Sequence, residues 1–401
     1  MKRLPSGTRY GPRWPLAVLN AFGPLAKAFG IFPKIDDRAL HALAESDGGQ
    51  GAWVQEARRV RFKSFDEEAG LSLFGALAVK GQVTKCVRTM LAFERLLAEH
   101  PEIRNEKIER PLFVIGWPRS GTTVLQRMLC QHSQARYLPV WEAYSLLREA
   151  DGKPLSDSAR YRSAKRAIGF LHWVAPEINA IHPFSCEEPD ECFHLFRNYC
   201  AMPPGWDFAY LPSYWAWFEK AGAVPAYELH KRQLQILQWY ERRGHWVLKS
   251  PQHLAGLPAL MKVYPDARIV CTHRDPVEAV ASYCSLLAVA WGMITQTIDR
   301  KRIAEYVLST MARAQRAAAP VLASLPKNQI FHAAFSDLMA DPPGMTEAIY
   351  AHFGYAPDPD LRARLKAWSD ANPREKHGRH AYRLSDFDLS EADVRGVLGS
   401  G

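Results

Sequence analysis

From Leu112 onward, short apolar runs alternate with segments whose apolar residues recur three and four positions apart. Leu112–Ile115, Arg136–Val140, Trp246–Leu248, Arg268–Thr272 and Gln329–His332 read as β-strands, and the intervening segments as helices. Such alternation predicts a parallel sheet covered by helices on both faces. From Asp36 to about His100 the spacing is helical throughout. Leu40 and Leu43, then Leu71, Leu73, Leu77 and Val79, then Met90, Leu91, Leu96 and Leu97 supply its buried stripes, and Pro101 stops the last helix. There is no repeat and no low-complexity tract. The expected organisation is a helical N-terminal extension over residues 1–105, packed on an α/β domain over residues 106–401.

Ahead of these helices, Trp14 to Phe32 is apolar and preceded by Lys2, Arg3, Arg9 and Arg13. Pro15, Gly23, Pro24, Lys27 and Gly30 break it too often for a spanning helix, and no small-residue cleavage site stands out. It is expected to pack on the body of the protein. The alternative is a peripheral membrane contact in which Trp14, Leu16, Leu19, Phe22, Leu25 and Phe29 dip into lipid beside basic residues.

Composition narrows the class only a little. With 47% hydrophobic and 23% charged residues among 401, the chain can bury a large core as a soluble enzyme does. A net charge of +9 favours anionic partners without naming them. Its basic residues are dispersed and form no recognised nucleic-acid motif, so no nucleic-acid partner is expected. The seven cysteines are scattered and show no metal spacing, which fits reduced thiols and a cytoplasmic location.

The candidate chemistry starts at Gly116-Trp117-Pro118-Arg119-Ser120-Gly121-Thr122-Thr123, between the Leu112 strand and the helical pattern from Val124. A strand, a glycine-bounded loop and a helix start make a phosphate cradle: backbone amides curl inward and the helix dipole adds positive potential. The fold class is therefore α/β, a P-loop-type parallel β-sheet flanked by helices. The nucleoside triphosphatase pattern would place lysine where Thr122 stands, and here the cation is Arg119, inside the loop. Two further strand ends carry cations. Lys249 emerges from Trp246-Val247-Leu248, and Arg274 follows Thr272-His273, with Ser282 eight residues later on the next helix. Ligands of parallel sheets bind at the carboxyl ends of the strands, where all three segments fall.

In these motifs the chain resembles the sulfotransferases that use 3′-phosphoadenosine 5′-phosphosulfate, particularly the bacterial branch with a helical N-terminal extension. The resemblance runs over roughly Leu112 to Tyr382. It implies that Trp117, Pro118, Arg119, Ser120, Gly121, Thr122 and Thr123 hold the 5′-phosphosulfate, and that Arg274 and Ser282 hold the 3′-phosphate. Arg374-Glu375-Lys376-His377-Gly378-Arg379-His380 is similar to the family's C-terminal basic loop, which assigns Lys376, His377, Gly378 and Arg379 to closing over the nucleotide. That phosphosulfate is the implied co-substrate, with adenosine 3′,5′-bisphosphate as product. The acceptor is a small apolar, lipid or carbohydrate molecule offering a hydroxyl, or an amine.

In-line transfer builds negative charge on the departing phosphate, so preorganised cations are the main catalytic resource. Arg119 is assigned to the leaving oxygen and Lys249 to the equatorial oxygens. No divalent metal is expected, since no carboxylate cluster stands beside the loop. Glu142, just past the second strand, is the first candidate for general base. His253 is its rival, and Glu187, Glu188 and Glu191 are a third option. Ten aromatic residues between Phe193 and Phe218 either fill the core or wall an acceptor pocket. A kinase using a nucleoside triphosphate, or a nonenzymatic nucleotide binder, remains the alternative reading of the cradle.

Overall fold

The structure is a computed structural model that describes residues 2–5, 9–11, 13–45, 51–144, 147, 158–181, 185–205, 208–373 and 382–399. A short antiparallel ribbon of β1 (Lys2–Arg3) and β2 (Arg9–Tyr10) opens the chain. Helices α1 (Trp14–Ala21), α2 (Gly23–Ala28), α3 (Arg38–Glu45), α4 (Ala52–Glu67) and α5 (Leu73–Glu99) follow. The hydroxyl of Ser72 caps α5 by accepting from the Gly75 amide at 3.0 Å. A 3-10 turn from Pro101 to Asn105 ends this helical extension.

The α/β part runs β3 (Leu112–Gly116), α6 (Thr122–Leu129), β4 (Ala135–Arg136), α7 (Val140–Tyr144), α8 (Ala159–Val174), α9 (Glu177–Ile181), α10 (Phe193–Asn198), α11 (Pro212–Ala221) and α12 (Val224–Tyr240). It continues with β5 (His245–Lys249), α13 (Gln252–Ala255), α14 (Leu257–Val263), β6 (Arg268–His273), α15 (Pro276–Ile294), α16 (Arg300–Ser324), β7 (Ile330–Ala334) and α17 (Phe335–Ala340). Three further helices close the chain.

The sheet has the order β4-β5-β3-β6-β7, and all its pairs are parallel. Every residue of β3 and β5 is buried, as a central parallel strand covered on both faces requires. The two faces of β3 feed different cores. Phe113 and Ile115 join the large core that also holds Phe93, Leu97 and Tyr264, whereas Leu112 and Val114 join a smaller one with Leu125, Leu338 and Ile349. The extension and the sheet thus share one apolar interior.

The expected Arg136–Val140 strand is shorter. After Arg136 only an isolated bridge, Pro139 to Pro189, persists before α7 begins, because proline has no N–H for the ladder. The aromatic stretch after Phe193 is core: Phe196, Tyr199, Tyr214, Trp215 and Phe218 are buried, and Trp215 stacks on Tyr306 with centroids 4.3 Å apart. Trp206 lies outside the described residues. Among the described residues α15 alone is long and apolar enough to cross a membrane, yet 89% of that window is buried inside the protein.

Candidate active site

The loop between β3 and α6 has a backbone that few sequences could adopt. Gly116 sits at φ +147°, and a Cβ there would meet the Thr272 Oγ1 at 2.1 Å. Arg119 takes φ +70° and Gly121 +89°, so the chain turns through left-handed conformations before α6 starts. Ser120 is fully buried. Its hydroxyl lies 2.6 Å from the Thr272 hydroxyl and donates to the Trp117 carbonyl at 2.6 Å, pinning the loop to β6. Ser120 therefore braces the turn, while Thr122 and Thr123 occupy the first positions of α6. Trp117 and Pro118 line a narrow cleft with Gly205, Gln252 and Tyr283, and the Trp117 indole nitrogen is buried without a partner.

The loop and the end of β6 meet through direct bonds. Arg119 Nε donates to the Ser282 hydroxyl at 3.0 Å, and its Nη1 to the Ile181 carbonyl at 2.9 Å. Burial lowers the Arg119 pKa, with nearby Tyr382 opposing and Arg274 adding to the effect. Arg274 Nη1 donates to the Arg119 carbonyl at 2.6 Å, its guanidinium lies 4.2 Å from the centre of the Phe335 ring, and its other nitrogens reach Glu278 at 2.6 and 3.0 Å. Asp275 caps α15 by accepting from the Val277 amide at 2.8 Å, and pairs with Arg395. The Glu278 pair is exposed on its acid side, so an incoming anion can displace it at small cost.

Lys249, 1% exposed, donates to Glu191 at 2.6 Å and to the Thr123 hydroxyl at 3.2 Å. Glu191 arrives there because its segment is stitched between the end of β5 and the chain that follows β4: the Cys192 amide donates to the Lys249 carbonyl at 2.9 Å and the Asp190 amide to the Leu138 carbonyl at 2.9 Å. Its Oε2 is buried without a hydrogen bond, although Ser250 is near enough to act on the carboxylate. Burial raises the Glu191 pKa, and Lys249 pulls the other way.

The other base candidates are placed differently. Glu142, on α7, is buried and accepts from Arg136 Nη2 at 2.6 Å. Glu188 accepts from Arg127 at 2.8 Å, and Glu187 from the Tyr161 hydroxyl. His253 is fully buried on α13, with Nδ1 2.8 Å from the Tyr227 hydroxyl and its ring edge-on to Phe113. Burial, with His230 and Lys249 adding to it, holds its pKa well below 6.5. The structure brings Arg119, Thr123, Lys249, Glu191, Arg274 and Ser282 around one loop, and keeps the His253 ring in the core.

Lys376, His377, Gly378 and Arg379 lie outside the described residues. Tyr382, just after them, acts on the charge of Arg119, so the C-terminal segment returns to the crevice. Among the described residues, Cys192, His230 and His253, and separately Cys271, His273 and His332, place potential metal-ligating atoms within 4.8 Å of one another; neither group includes a loop residue. All seven cysteines are free and buried. Sequence reasoning missed Thr272 behind the loop and Phe335 beneath Arg274. Thr272 lies in β6 and Phe335 opens α17 directly after β7, and only the sheet order β3-β6-β7 brings them to the loop.

Comparison with known proteins supports the same region. The model of the sulfotransferase family matches residues 111–360, which include the loop, both strand-end cations and Ser282. Omega-hydroxy-beta-dihydromenaquinone-9 sulfotransferase Stf3 of Mycobacterium bovis and of Mycobacterium tuberculosis is 22% identical over 263 residues, 61% of this chain and 62% of that protein. The match thus spans less than two thirds of the relative's length. The crystal structure of sulfotransferase STF1 from Mycobacterium tuberculosis H37Rv superposes with a TM-score of 0.78 at 27% identity, covering 91% of this chain and 99% of that one. Sulfotransferase STF9 from Mycobacterium avium has the same fold, with a TM-score of 0.79 at 23% identity over 91% and 95% of the two chains. The strand-loop-helix cradle, its buried lysine, Arg274 and Ser282 of α15 are all inside the matched segment, and the chain belongs to the sulfotransferase family.

Proposed function

We propose that this protein transfers the sulfuryl group of 3′-phosphoadenosine 5′-phosphosulfate to the hydroxyl of an apolar acceptor, through a P-loop-type cradle. The observation that carries this reading is the meeting of two anion-recognising elements: Arg119 of the loop hydrogen-bonds Ser282 of α15, and Arg274 hydrogen-bonds the Arg119 backbone. A nucleotide with phosphates at both ends of its ribose uses both elements, whereas a nucleoside triphosphate leaves the second idle.

In this reading the acceptor oxygen forms a bond to sulfur while the bond from sulfur to the bridging phosphate oxygen breaks. The electron pair leaves with the bisphosphate, where Arg119 and the α6 amides stabilise it. Lys249 stands at the sulfuryl oxygens, beside Thr123. Glu191 receives the acceptor's proton, because its Oε2 is unpartnered and burial has already raised its proton affinity. Glu142, neutralised by Arg136, positions that wall of the crevice.

A groove of about 590 Å³ along α5, lined by Leu77, Thr89 and Leu147 and by the cations Lys80, Lys85 and Arg88, supports an elongated acceptor. Lys85 reaches over the Tyr144 ring at 5.0 Å, and Tyr144 packs on His194, which is bonded to Asp190 beside Glu191. The mycobacterial relative is named for a hydroxylated acceptor, omega-hydroxy-beta-dihydromenaquinone-9. Calorimetry comparing adenosine 3′,5′-bisphosphate with ATP and magnesium, followed by labelled-sulfate transfer to pooled hydroxylated lipids, tests the reading. Tight bisphosphate binding and a labelled lipid are expected; equal affinity for ATP would overturn it.

A further inference from the structure

Helices α1 and α2 present their apolar stripe outward. Trp14, Val18, Ala21, Phe22, Leu25 and Phe29 fall at intervals of three, four or one along the two helices, and all are exposed, Trp14 by 76% and Phe29 by 72%. Ile31 continues the stripe at 73%. The inner side is anchored. Leu16 and Phe32 pack on the core, Gly23 and Ala26 are buried, and the Asn20 side chain accepts from the Phe74 amide at 2.8 Å.

Other exposed apolar groups adjoin it. Phe170 and Trp173 of α8 stack with centroids 5.8 Å apart, Phe170 meets Phe74 of α5, and the Arg13 guanidinium lies 5.7 Å from the Trp173 ring. Of the large exposed hydrophobic side chains among the described residues, Val397 alone is far along the chain from these elements. Isolated exposed apolar residues are ordinary, but a concentration on one face marks a docking surface.

Charge identifies the occupant. Residues 1–35 contain Lys2, Arg3, Arg9, Arg13, Lys27 and Lys34 and no acidic residue, and α8, which has no acid, adds the exposed Arg162, Lys165 and Arg166. A second copy docking on this face by two-fold symmetry would oppose two cationic patches, which is repulsive. An anionic bilayer satisfies both the apolar stripe and its basic border. The helices have eight and six residues, far too short to span, so they lie in the interface.

We infer that α1 and α2, with Phe170 and Trp173, form a peripheral docking surface for anionic lipid membranes. From this face α8 continues through α9 to Ile181, whose carbonyl accepts from Arg119, so the docked surface and the crevice are joined by one stretch of chain. The docking does not depend on the identity of the acceptor, and its failure would leave sulfuryl transfer untouched.

Flotation of the full chain with phosphatidylcholine vesicles, with and without phosphatidylglycerol, tests the inference. The protein should float with the anionic vesicles, stay behind with the neutral ones, and release as salt is raised. Combining Trp14→Glu, Phe22→Glu and Phe29→Glu should cut partitioning about tenfold or more, with adenosine 3′,5′-bisphosphate binding retained as the measure of folding. Should that variant misfold, Arg13→Glu with Lys27→Glu and Lys34→Glu must produce the loss instead. Equal flotation of the variants and the parent overturns the inference, as does absence of the parent from anionic vesicles. A dimer in sedimentation velocity that the apolar variant dissolves would also overturn it, by assigning the face to a second copy.

Discussion

Arg119 Nε donates a 3.0 Å hydrogen bond to the Ser282 hydroxyl across 163 positions of sequence. The bond joins the loop that follows β3 to the helix that follows β6, neighbours in the sheet, and both partners sit at the carboxyl ends of their strands. A cation and a hydroxyl that the proposed function assigns to different ends of one nucleotide are thereby in direct contact.

Removing that cation should cripple transfer without unfolding the chain. Arg119→Ala is expected to lower turnover about 10²- to 10³-fold, the usual effect of losing a preorganised group at a developing oxyanion. Labelled-sulfate assays beside circular dichroism check it, and an active variant would remove Arg119 from the reaction.

Arg274→Ala should act on binding. Losing a charge-assisted contact to the 3′-phosphate costs about 2 kcal/mol, roughly 30-fold in affinity for adenosine 3′,5′-bisphosphate. Adenosine 5′-monophosphate, which lacks that phosphate, should bind both proteins alike by calorimetry. Equal losses for the two ligands would mean that Arg274 only supports the Arg119 carbonyl.

Glu191→Gln and Glu142→Gln separate the two carboxylates. The first should reduce turnover about 10²-fold or more and abolish the acidic limb of the pH–rate profile. That limb should lie above the ordinary carboxylate range, because burial raises the Glu191 pKa. Glu142→Gln frees a buried arginine and should show first as lower thermal stability. The reverse pattern would make Glu142 the base.

Buried histidines should make the fold acid-labile. Burial chiefly holds His194 down to about 4 and His230 and His245 down to about 3, from an ordinary 6.5. Below pH 6.5 the unfolded chain takes up these protons and the folded one does not, so their contribution is complete above that pH and is lost as pH falls towards 4 and 3. At pH 5 each of the three has removed about 2 kcal/mol. Glu191, with its raised pKa, works in the opposite sense: its folded form takes a proton first, so its share grows on acidification. Calorimetry should show a melting temperature that is level above pH 7 and drops steeply between 6.5 and 5; a level profile through that window contradicts the burial of these rings.

Gly116→Ala should damage the loop itself. The new methyl group would meet the Thr272 hydroxyl at 2.1 Å and the Thr272 carbonyl oxygen at 2.8 Å, at a φ of +147°. A cost of about 2–3 kcal/mol is expected in urea denaturation, with bisphosphate affinity falling as the cradle shifts. Unchanged stability and affinity would show that β3 and β6 can separate freely at this point.

What the chain alone determined is local. Three apolar runs each followed by a candidate site segment, a glycine-bounded loop, and an arginine eight residues before a serine are properties of contiguous segments, and backbone sterics and apolar periodicity act within such segments. The sheet, its parallel sense and the helical extension followed from them, as did the placing of Arg119, Lys249, Arg274 and Ser282 around one loop. Tertiary structure decided what depends on pairing between distant elements. Glu191 gained Lys249 only because its segment is stitched between the chain that follows β4 and the end of β5, Glu142 on α7 was neutralised by Arg136 of the edge strand β4, and His253 turned into the core against Phe113. The outward stripe of α1 and α2 belongs to the same class. Periodicity reveals that a helix has an apolar face, but which face meets the protein is set by what the rest of the fold leaves uncovered.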